Sequence, residues 1–223
     1  MDRHGTARTR RHRYAAAPLL ALAVLAGCST ATTTTPRTAA LGDSMMAVGQ
    51  ADLAHQLALY KPIYLIRYGG RIGDLSAVLR FWINRFGNPG VVVTNVGTTD
   101  ARRPAGPQTD GPVLRPLVQS TSAIPCVVLT TVDTTWDRRN GGTTAADVNR
   151  QEVALERSDP VKYKIVDWNW FVATLPAPSL PTYVQSTTLL ETPAGAQWLA
   201  KADQAAVRTC TTRHQPTVIG PNR

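Results

Sequence analysis

Apolar runs alternate with amphipathic runs along the chain from residue 38 onward. The apolar runs predict five strands, in the segments TAAL, PIYLIRY, VVVTNV, CVVLTTV and YKIVDW. The third run is uniformly apolar at its start, as expected for a strand that a parallel sheet buries on both faces. Since strands and helices alternate, we expect a three-layer α/β/α sandwich with a five-stranded parallel sheet.

The segments between these runs predict helices and loops. One helix covers AVGQADLAHQLALY, and another covers LSAVLRFWINRF with Asp74 as its cap. A third helix begins near Thr144, and the last begins at Thr192 and Pro193, which form a cap and first-turn signature. The segments GTTDARRPAGPQTDGP and DTTWDRRNGG predict long loops.

The N-terminus has the three parts of a bacterial secretion signal. Five arginines precede the apolar run AAAPLLALAVLA, which LAGC closes. This run is shorter than the roughly 20 residues that span a membrane. Small residues directly before Cys28 are similar to the lipobox of bacterial lipoproteins, where the cysteine is lipidated after cleavage. The alternative is ordinary cleavage nearby with a free Cys28.

This resemblance predicts the domain organisation and the location. We expect residues 1–27 to be a lipoprotein signal peptide, 28–37 a threonine-rich tether, 38–212 the globular domain, and 213–223 a flexible tail. The protein would be exported and anchored to the outer face of the cell membrane by a lipid on Cys28.

The charge and the motifs exclude several classes of function. The whole chain carries a net charge of +9, and removing a signal with five Arg and one Asp leaves about +5. Without clusters of lysine and arginine, this charge does not predict nucleic-acid binding. There is no zinc-binding spacing, phosphate-binding glycine loop or dinucleotide motif, so we expect no metal and no cofactor. Two arginine pairs, Arg102 with Arg103 and Arg138 with Arg139, are either solvated loop charge or flank an anionic ligand.

Two cysteines remain in the globular part, Cys126 and Cys210. Export permits a disulfide, and Cys210 shares a helical stripe with Leu199, Ala202 and Ala206 that faces the body of the domain. We therefore predict a Cys126–Cys210 disulfide, with two buried free thiols as the alternative.

Ser44, in the segment ALGDSMM, stands between the first strand and the first helix. Sites in open α/β sheets form beyond the carboxyl ends of strands, and Ser44 is at such an end. Backbone N–H groups of the following helix would point at a bound oxyanion. A turn serine or a helix cap explains the Gly-Asp-Ser triplet equally well.

Several segments together resemble the SGNH hydrolase (GDSL esterase/lipase) family over nearly the whole globular part: LGDSMM, YGGRIGDL, VVVTNVGTTDA, KIVDWN and TPAGAQWLAKADQAA. The resemblance implies the flavodoxin-like SGNH fold. It also implies acyl-ester hydrolysis or transfer with Ser44 as nucleophile, and an oxyanion held by the backbone N–H groups of Ser44 and Gly70.

Two departures from the family pattern concern catalysis. Thr99 occupies the place of an asparagine that donates to the oxyanion, and a hydroxyl offers a single donor with less reach. Thr187 and Leu190 occupy the places of the Asp-x-x-His pair, and no Asp or His lies between Trp168 and Lys201. Loss of the base of a serine hydrolase costs on the order of 10⁶ in turnover.

Three residues are candidates for a substitute base. His55 is about 16 Å along the predicted helix from Ser44, which is too far. Glu191 is next to the lost histidine position, and His214 lies in the tail beyond the last helix. A surface carboxylate and a solvated terminal residue are the alternative interpretations of Glu191 and His214.

The sequence therefore predicts a cell-envelope lipoprotein whose SGNH-like domain has impaired acyl-ester chemistry. The alternative is an inactive binding or scaffolding lipoprotein that holds an acylated envelope glycan or lipid. A structural lipoprotein without a ligand is a third hypothesis.

Overall fold

Five parallel strands form one sheet in the order β2-β1-β3-β4-β5. The computed structural model describes residues 37–102, 113–185 and 191–212. The strands are β1 Thr38–Gly42, β2 Ile63–Ile66, β3 Val91–Asn95, β4 Cys126–Thr130 and β5 Tyr163–Val166. Every residue of the three inner strands is buried, whereas the edge strands β2 and β5 include half-buried residues. The inner strands are buried because helices cover both faces of the sheet.

Helices connect the strands and form two layers. They are α1 Ser44–Val48, α2 Gln50–Gln56, α3 Ile72–Phe86, α4 Thr98–Arg102, α5 Arg115–Ser120, α6 Thr135–Asn140, α7 Thr144–Ser158, α8 Trp168–Thr174, α9 Leu180–Tyr183 and α10 Pro193–Thr212. Helix α10 packs on α2, and α3 packs on α5. Right-handed crossovers with this strand order place these two pairs on opposite faces of the sheet. The predicted three-layer sandwich is confirmed.

Several helices depart from the sequence-based prediction, and carboxylates explain two of the three departures that follow. The first predicted helix is interrupted at Gly49, which separates α1 from α2. Helix α3 begins before Asp74, because Asp100 of α4 accepts a hydrogen bond from the Ile72 N–H and caps the helix. Helix α6 lies inside a predicted loop, where Asp133 accepts a hydrogen bond from the backbone of its first residue.

The last helix begins as predicted. Helix α10 starts at Pro193, and the Thr192 hydroxyl accepts a hydrogen bond from the Gly195 N–H. Among the described residues, no helix combines the length and the apolar character that crossing a membrane requires.

A disulfide joins Cys126 at the start of β4 to Cys210 near the end of α10, with a Cα–Cα distance of 5.9 Å. The predicted pairing is confirmed. Both cysteines are buried, and 84 positions separate them in the sequence. A cross-link over so long a loop restricts the unfolded chain strongly.

Replacing both cysteines, Cys126→Ala with Cys210→Ala, should lower the free energy of unfolding by about 2 to 4 kcal/mol. The melting temperature should fall by roughly 5 to 15 °C in a domain of this size. Thermal unfolding of the oxidised and the reduced wild-type protein provides the control, since reduction should reproduce the loss. Equal melting temperatures for the oxidised wild type and the double variant would contradict the stabilising role.

Candidate active site

Ser44 is the first residue of α1 and lies at the carboxyl end of β1. Its side chain is largely buried, with 4% of the residue exposed. The Gly69 N–H, in the turn after β2, donates a hydrogen bond of 3.3 Å to Ser44 Oγ. Gly69 has a φ of +65°, a left-handed conformation that favours glycine. The turn therefore presents a backbone donor directly to the serine oxygen.

Gly70, the predicted oxyanion donor, lies in the same turn. Its N–H donates to the carbonyl oxygen of Arg67 at 2.9 Å and so closes the turn. The N–H that contacts the serine oxygen is that of Gly69, one residue earlier. Sequence reasoning missed Gly69, although the Gly-Gly pair in YGGR marks both residues as turn positions.

The Asp43 carboxylate links two helix N-termini next to Ser44. One oxygen accepts a hydrogen bond from the Met45 N–H at 3.0 Å, and the other accepts one from the Thr99 N–H at 3.1 Å. Helix α4, which the sequence predicted to be loop, begins at Thr98 and is thereby tied to α1. Burial raises the pKa of Asp43 to about 7, although these backbone hydrogen bonds act in the opposite direction. The Asp43 carboxylate therefore places Thr99 near Ser44, and the Thr99 N–H is already used as a hydrogen-bond donor to Asp43.

Glu191 is fully buried and lies against Gly49, beyond the last residue of α1. It lines a cavity of about 10 Å³, enough for one water, together with Asn95 and Asp203. Within the described part of the chain, neither Glu191 carboxyl oxygen has a hydrogen-bond partner. Burial raises the pKa of Glu191 to about 8, and the charges of nearby Asp43 and Asp203 act in the same direction. Glu191 is therefore part of an interior carboxyl cluster, and Ser44 does not line its cavity.

The other predicted site residues are distributed as follows. His55 is exposed on α2. Arg102 lies over the ring of Trp136 at 4.8 Å, and Arg138 donates to the Thr135 hydroxyl. Cys28, Arg103, Thr187, Leu190 and His214 lie outside the described residues.

The described surroundings of Ser44 include a backbone donor to its oxygen and no side-chain acceptor hydrogen-bonded to it. Within residues 37–102, 113–185 and 191–212, no imidazole or carboxylate is hydrogen-bonded to Ser44 Oγ. The same residues contain no cluster of three side chains that could hold a metal ion. The described arrangement can present backbone N–H groups to a carbonyl oxygen, and a serine hydroxyl needs an adjacent base to act as a nucleophile.

Comparisons with known proteins identify the fold. No protein-family model matches the chain, and no curated protein matches it in sequence. The C-terminal catalytic domain of Streptococcus pneumoniae peptidoglycan O-acetyltransferase A (OatA), solved with a methylsulfonyl adduct, matches in structure with a TM-score of 0.62. It is 14% identical and covers 79% of this chain and 94% of its own.

Two lipases match to a similar extent. A lipase/acylhydrolase from Enterococcus faecalis has a TM-score of 0.59 at 16% identity, with 79% of this chain and 96% of that one covered. A GDSL-like lipase from Bacteroides thetaiotaomicron has a TM-score of 0.59 at 15% identity, with 79% and 88% covered. At such identities the likeness shows the fold alone. The chain therefore has the SGNH hydrolase fold that its motifs implied.

The buried carboxyls predict that stability falls as the pH rises. Glu191 and Asp203 have pKa values of about 8 in the folded protein against model values of 4.5 and 3.8, because burial disfavours their charged forms. Between about pH 4 and about pH 8, the folded chain therefore holds protons that the unfolded chain releases. The contribution of these two groups to stability is greatest below about pH 4 and is lost as the pH rises to about 8. A difference of one between the pKa values of a group in the folded and the unfolded chain changes the free energy of unfolding by about 1.4 kcal/mol.

Thermal unfolding at about pH 5 and about pH 8 tests this prediction. The melting temperature of the wild type should fall by several degrees over this interval. Glu191→Gln, which stays neutral, should reduce the fall, whereas Glu156→Gln on α7 should leave it unchanged. A fall of the same size in Glu191→Gln and the wild type would show that Glu191 is not a source of the dependence.

Proposed function

We propose that this protein is an exported, lipid-anchored protein of the cell envelope that binds acyl esters at Ser44 and hydrolyses or transfers them at a strongly reduced rate. The main observation that supports this proposal is the hydrogen bond from the Gly69 N–H to Ser44 Oγ. It puts a backbone donor and a hydroxyl together at the carboxyl edge of a parallel sheet, where ligands bind in folds of this class.

The proposed reaction has two steps. Ser44 Oγ forms a bond to the ester carbonyl carbon, and the ester C–O bond breaks as the released alcohol takes up the proton that the hydroxyl loses. Water or a second alcohol then accepts the acyl group and frees Ser44. The carbonyl oxygen becomes negative in both steps, and we assign the N–H groups of Ser44 and Gly69 as its donors, with the Thr99 hydroxyl as a weaker one.

The reduced rate follows from the absence of a proton acceptor among the described residues. Removing the base of a serine hydrolase lowers turnover by on the order of 10⁶. Positioning and oxyanion donors alone retain about 10³ to 10⁴ over water. Glu191 lies in the interior cavity, and we assign it no contact with Ser44. His214 remains a candidate base in the tail.

The substrate class follows from the fold relatives and the proposed location. OatA is a peptidoglycan O-acetyltransferase, and the two other structures named above are a lipase/acylhydrolase and a GDSL-like lipase. We therefore propose an acylated envelope glycan or lipid as the ligand. Anchoring through Cys28 would hold the domain at the outer face of the membrane.

A second candidate function is binding without cleavage. Ser44 is 4% exposed, and its oxygen already accepts a hydrogen bond, so the site is better suited to hold a carbonyl than to attack it. In this case the protein would be a scaffold for an acylated polymer.

Labelling with a fluorophosphonate and hydrolysis of p-nitrophenyl acetate test the proposal. The wild type should label slowly and turn over ester far below the typical 1 to 10³ s⁻¹ of enzymes. Ser44→Ala should abolish both signals, and Ser122→Ala, an exposed serine after α5, should retain them.

Each other outcome has a defined meaning. Labelling that persists in Ser44→Ala would refute Ser44 as the nucleophile. Turnover in the normal range would refute impairment, and its loss in His214→Ala or Glu191→Gln would identify the base. No labelling of the wild type, with ligand binding retained, would favour the scaffold function.

A further inference from the structure

Exposed apolar side chains form a stripe on the outer surface of α3. Val78, Phe81 and Phe86 are exposed and follow the i, i+3, i+8 spacing of one side of a helix, and Phe81 is 70% exposed. The Trp82 ring contacts the Phe86 ring, with 5.5 Å between the centroids. Another side of the helix carries core residues such as Leu79. Helix α3 therefore has a second apolar stripe that faces solvent.

The stripe ends at the edge of the sheet where the strands begin. Arg37 directly precedes β1, and its guanidinium donates a hydrogen bond of 3.2 Å to the carbonyl oxygen of Phe86, the last residue of α3. Leu59, which is 78% exposed, lies in the turn before β2. The pairing registers show that β2, β1 and β3 begin within one residue of each other. Since neighbouring strands are about 4.8 Å apart, Leu59, Arg37 and Phe86 lie along one edge of the sheet.

The charged residues of this surface are all basic. Segments 57–62 and 77–90 contain Lys61, Arg80 and Arg85, and they contain no Asp or Glu. The Arg85 guanidinium lies over the Phe86 ring, 5.6 Å from its centroid, so a cation and an aromatic ring share one surface. The basic aromatic face consists of Arg37, Leu59, Lys61, Phe81, Arg85 and Phe86, all of which are exposed.

The N-terminal part of the chain joins the domain at this face. Arg37 belongs to the basic aromatic face, and it follows the proposed anchor Cys28 by nine positions. A fully extended chain spans at most about 3.5 Å per residue, so a lipid on Cys28 would hold Arg37 within about 32 Å of the membrane surface. Such a tether raises the effective concentration of the face at the bilayer to about the millimolar range. A weak contact is then enough for the face to occupy the membrane surface.

We propose that the basic aromatic face docks on a bilayer that contains anionic lipids. The Phe81 and Phe86 rings enter the headgroup region, and Lys61 and Arg85 bind lipid phosphates. A soluble polyanion would leave the rings in water, and an apolar protein surface would desolvate the cations without compensation. The choice of a membrane rests on the anchored location proposed above. The inference goes beyond that location, because the face supplies membrane affinity of its own.

Docking through this face sets the orientation of the candidate active site. Arg37 precedes β1 and Ser44 follows it, so the two residues lie at opposite edges of the sheet. Strand β1 has five residues, which separates the edges by about 16 Å. Ser44 then faces away from the bilayer. This orientation favours an envelope glycan over a membrane lipid as the ligand of Ser44.

Sedimentation with lipid vesicles tests the proposal on a chain that begins at residue 33. Residues 33–223 form one compact unit that contains every described helix and strand and the disulfide, so they should fold without the preceding segment. This chain lacks Cys28, and the anchor therefore contributes nothing to its binding. It should bind vesicles of phosphatidylglycerol and phosphatidylcholine more tightly than vesicles of phosphatidylcholine alone, and added salt should weaken the binding. Cooperative thermal unfolding of this chain is the control for its folding.

Matched substitutions locate the contact. Phe81→Ala should weaken vesicle binding about tenfold, because a buried aromatic side chain is lost from the contact. Arg85→Gln should weaken it about fivefold through the loss of one cation near the surface. Trp170→Ala on α8 and Arg138→Gln on α6 change exposed residues that follow the carboxyl ends of β5 and β4, and both should bind within about twofold of the wild type. Unchanged melting temperatures of the variants exclude unfolding as the cause of a loss.

Four results would overturn the proposal. They are no binding to anionic vesicles at millimolar lipid, equal losses in Phe81→Ala and Trp170→Ala, a loss in Arg85→Gln with none in Phe81→Ala, and a dimer in sedimentation velocity that Phe81→Ala dissociates. The third would indicate a site for a soluble polyanion, and the fourth would indicate that the face binds a second copy of the chain. Incorporation of labelled palmitate into the full chain, and its loss in Cys28→Ser, tests the anchor separately. Failure of the docking face and failure of the anchor are therefore distinguishable.

Discussion

The buried Asp43 carboxylate holds the parts of the candidate active site in fixed positions relative to one another. It satisfies backbone N–H groups at the starts of α1 and α4, which otherwise have no partner inside their own helices. The Asp43 N–H in turn donates to Asn95 at the end of β3, so one residue joins two strands and two helices. The preceding Gly42 has no room for a Cβ, which would overlap Met46. The position of Ser44 depends on this close packing.

Among residues 37–102, 113–185 and 191–212, the resulting site is rich in hydrogen-bond donors and poor in acceptors. Ser44 Oγ accepts from Gly69, and the carboxylates nearby are committed to helix caps or lie in the interior. One oxyanion donor is worth about 3 to 4 kcal/mol of transition-state stabilisation. Loss of the base corresponds to about 8 kcal/mol, which is the larger effect. On the proposed function, the site would therefore preserve recognition of a carbonyl better than its cleavage.

The sequence predicted the regular parts of the fold, because strands and long helices follow from local patterns. All five strands were found, since runs such as VVVTN and CVVLT are apolar throughout. Helix α4 was missed because the Asp43 carboxylate, 56 positions earlier in the chain, stabilises its start, and no local propensity indicates such a contact. Helix α6 was missed although Asp133, two positions before its first residue, is a local signal for the start of a helix. The donor role of Gly69 depends on the exact geometry of the turn after β2, which brings this N–H to Ser44 only in the folded chain.

The pH dependence of phosphonylation tests the central proposal, that no side chain accepts the proton of Ser44. The second-order rate constant for labelling of Ser44 by a fluorophosphonate would be measured from about pH 5 to about pH 9. Without a base, hydroxide alone removes the proton, so the rate constant should rise about tenfold for each pH unit with no plateau. A rate that levels off above an inflection in this range would reveal a titrating base and would contradict the account.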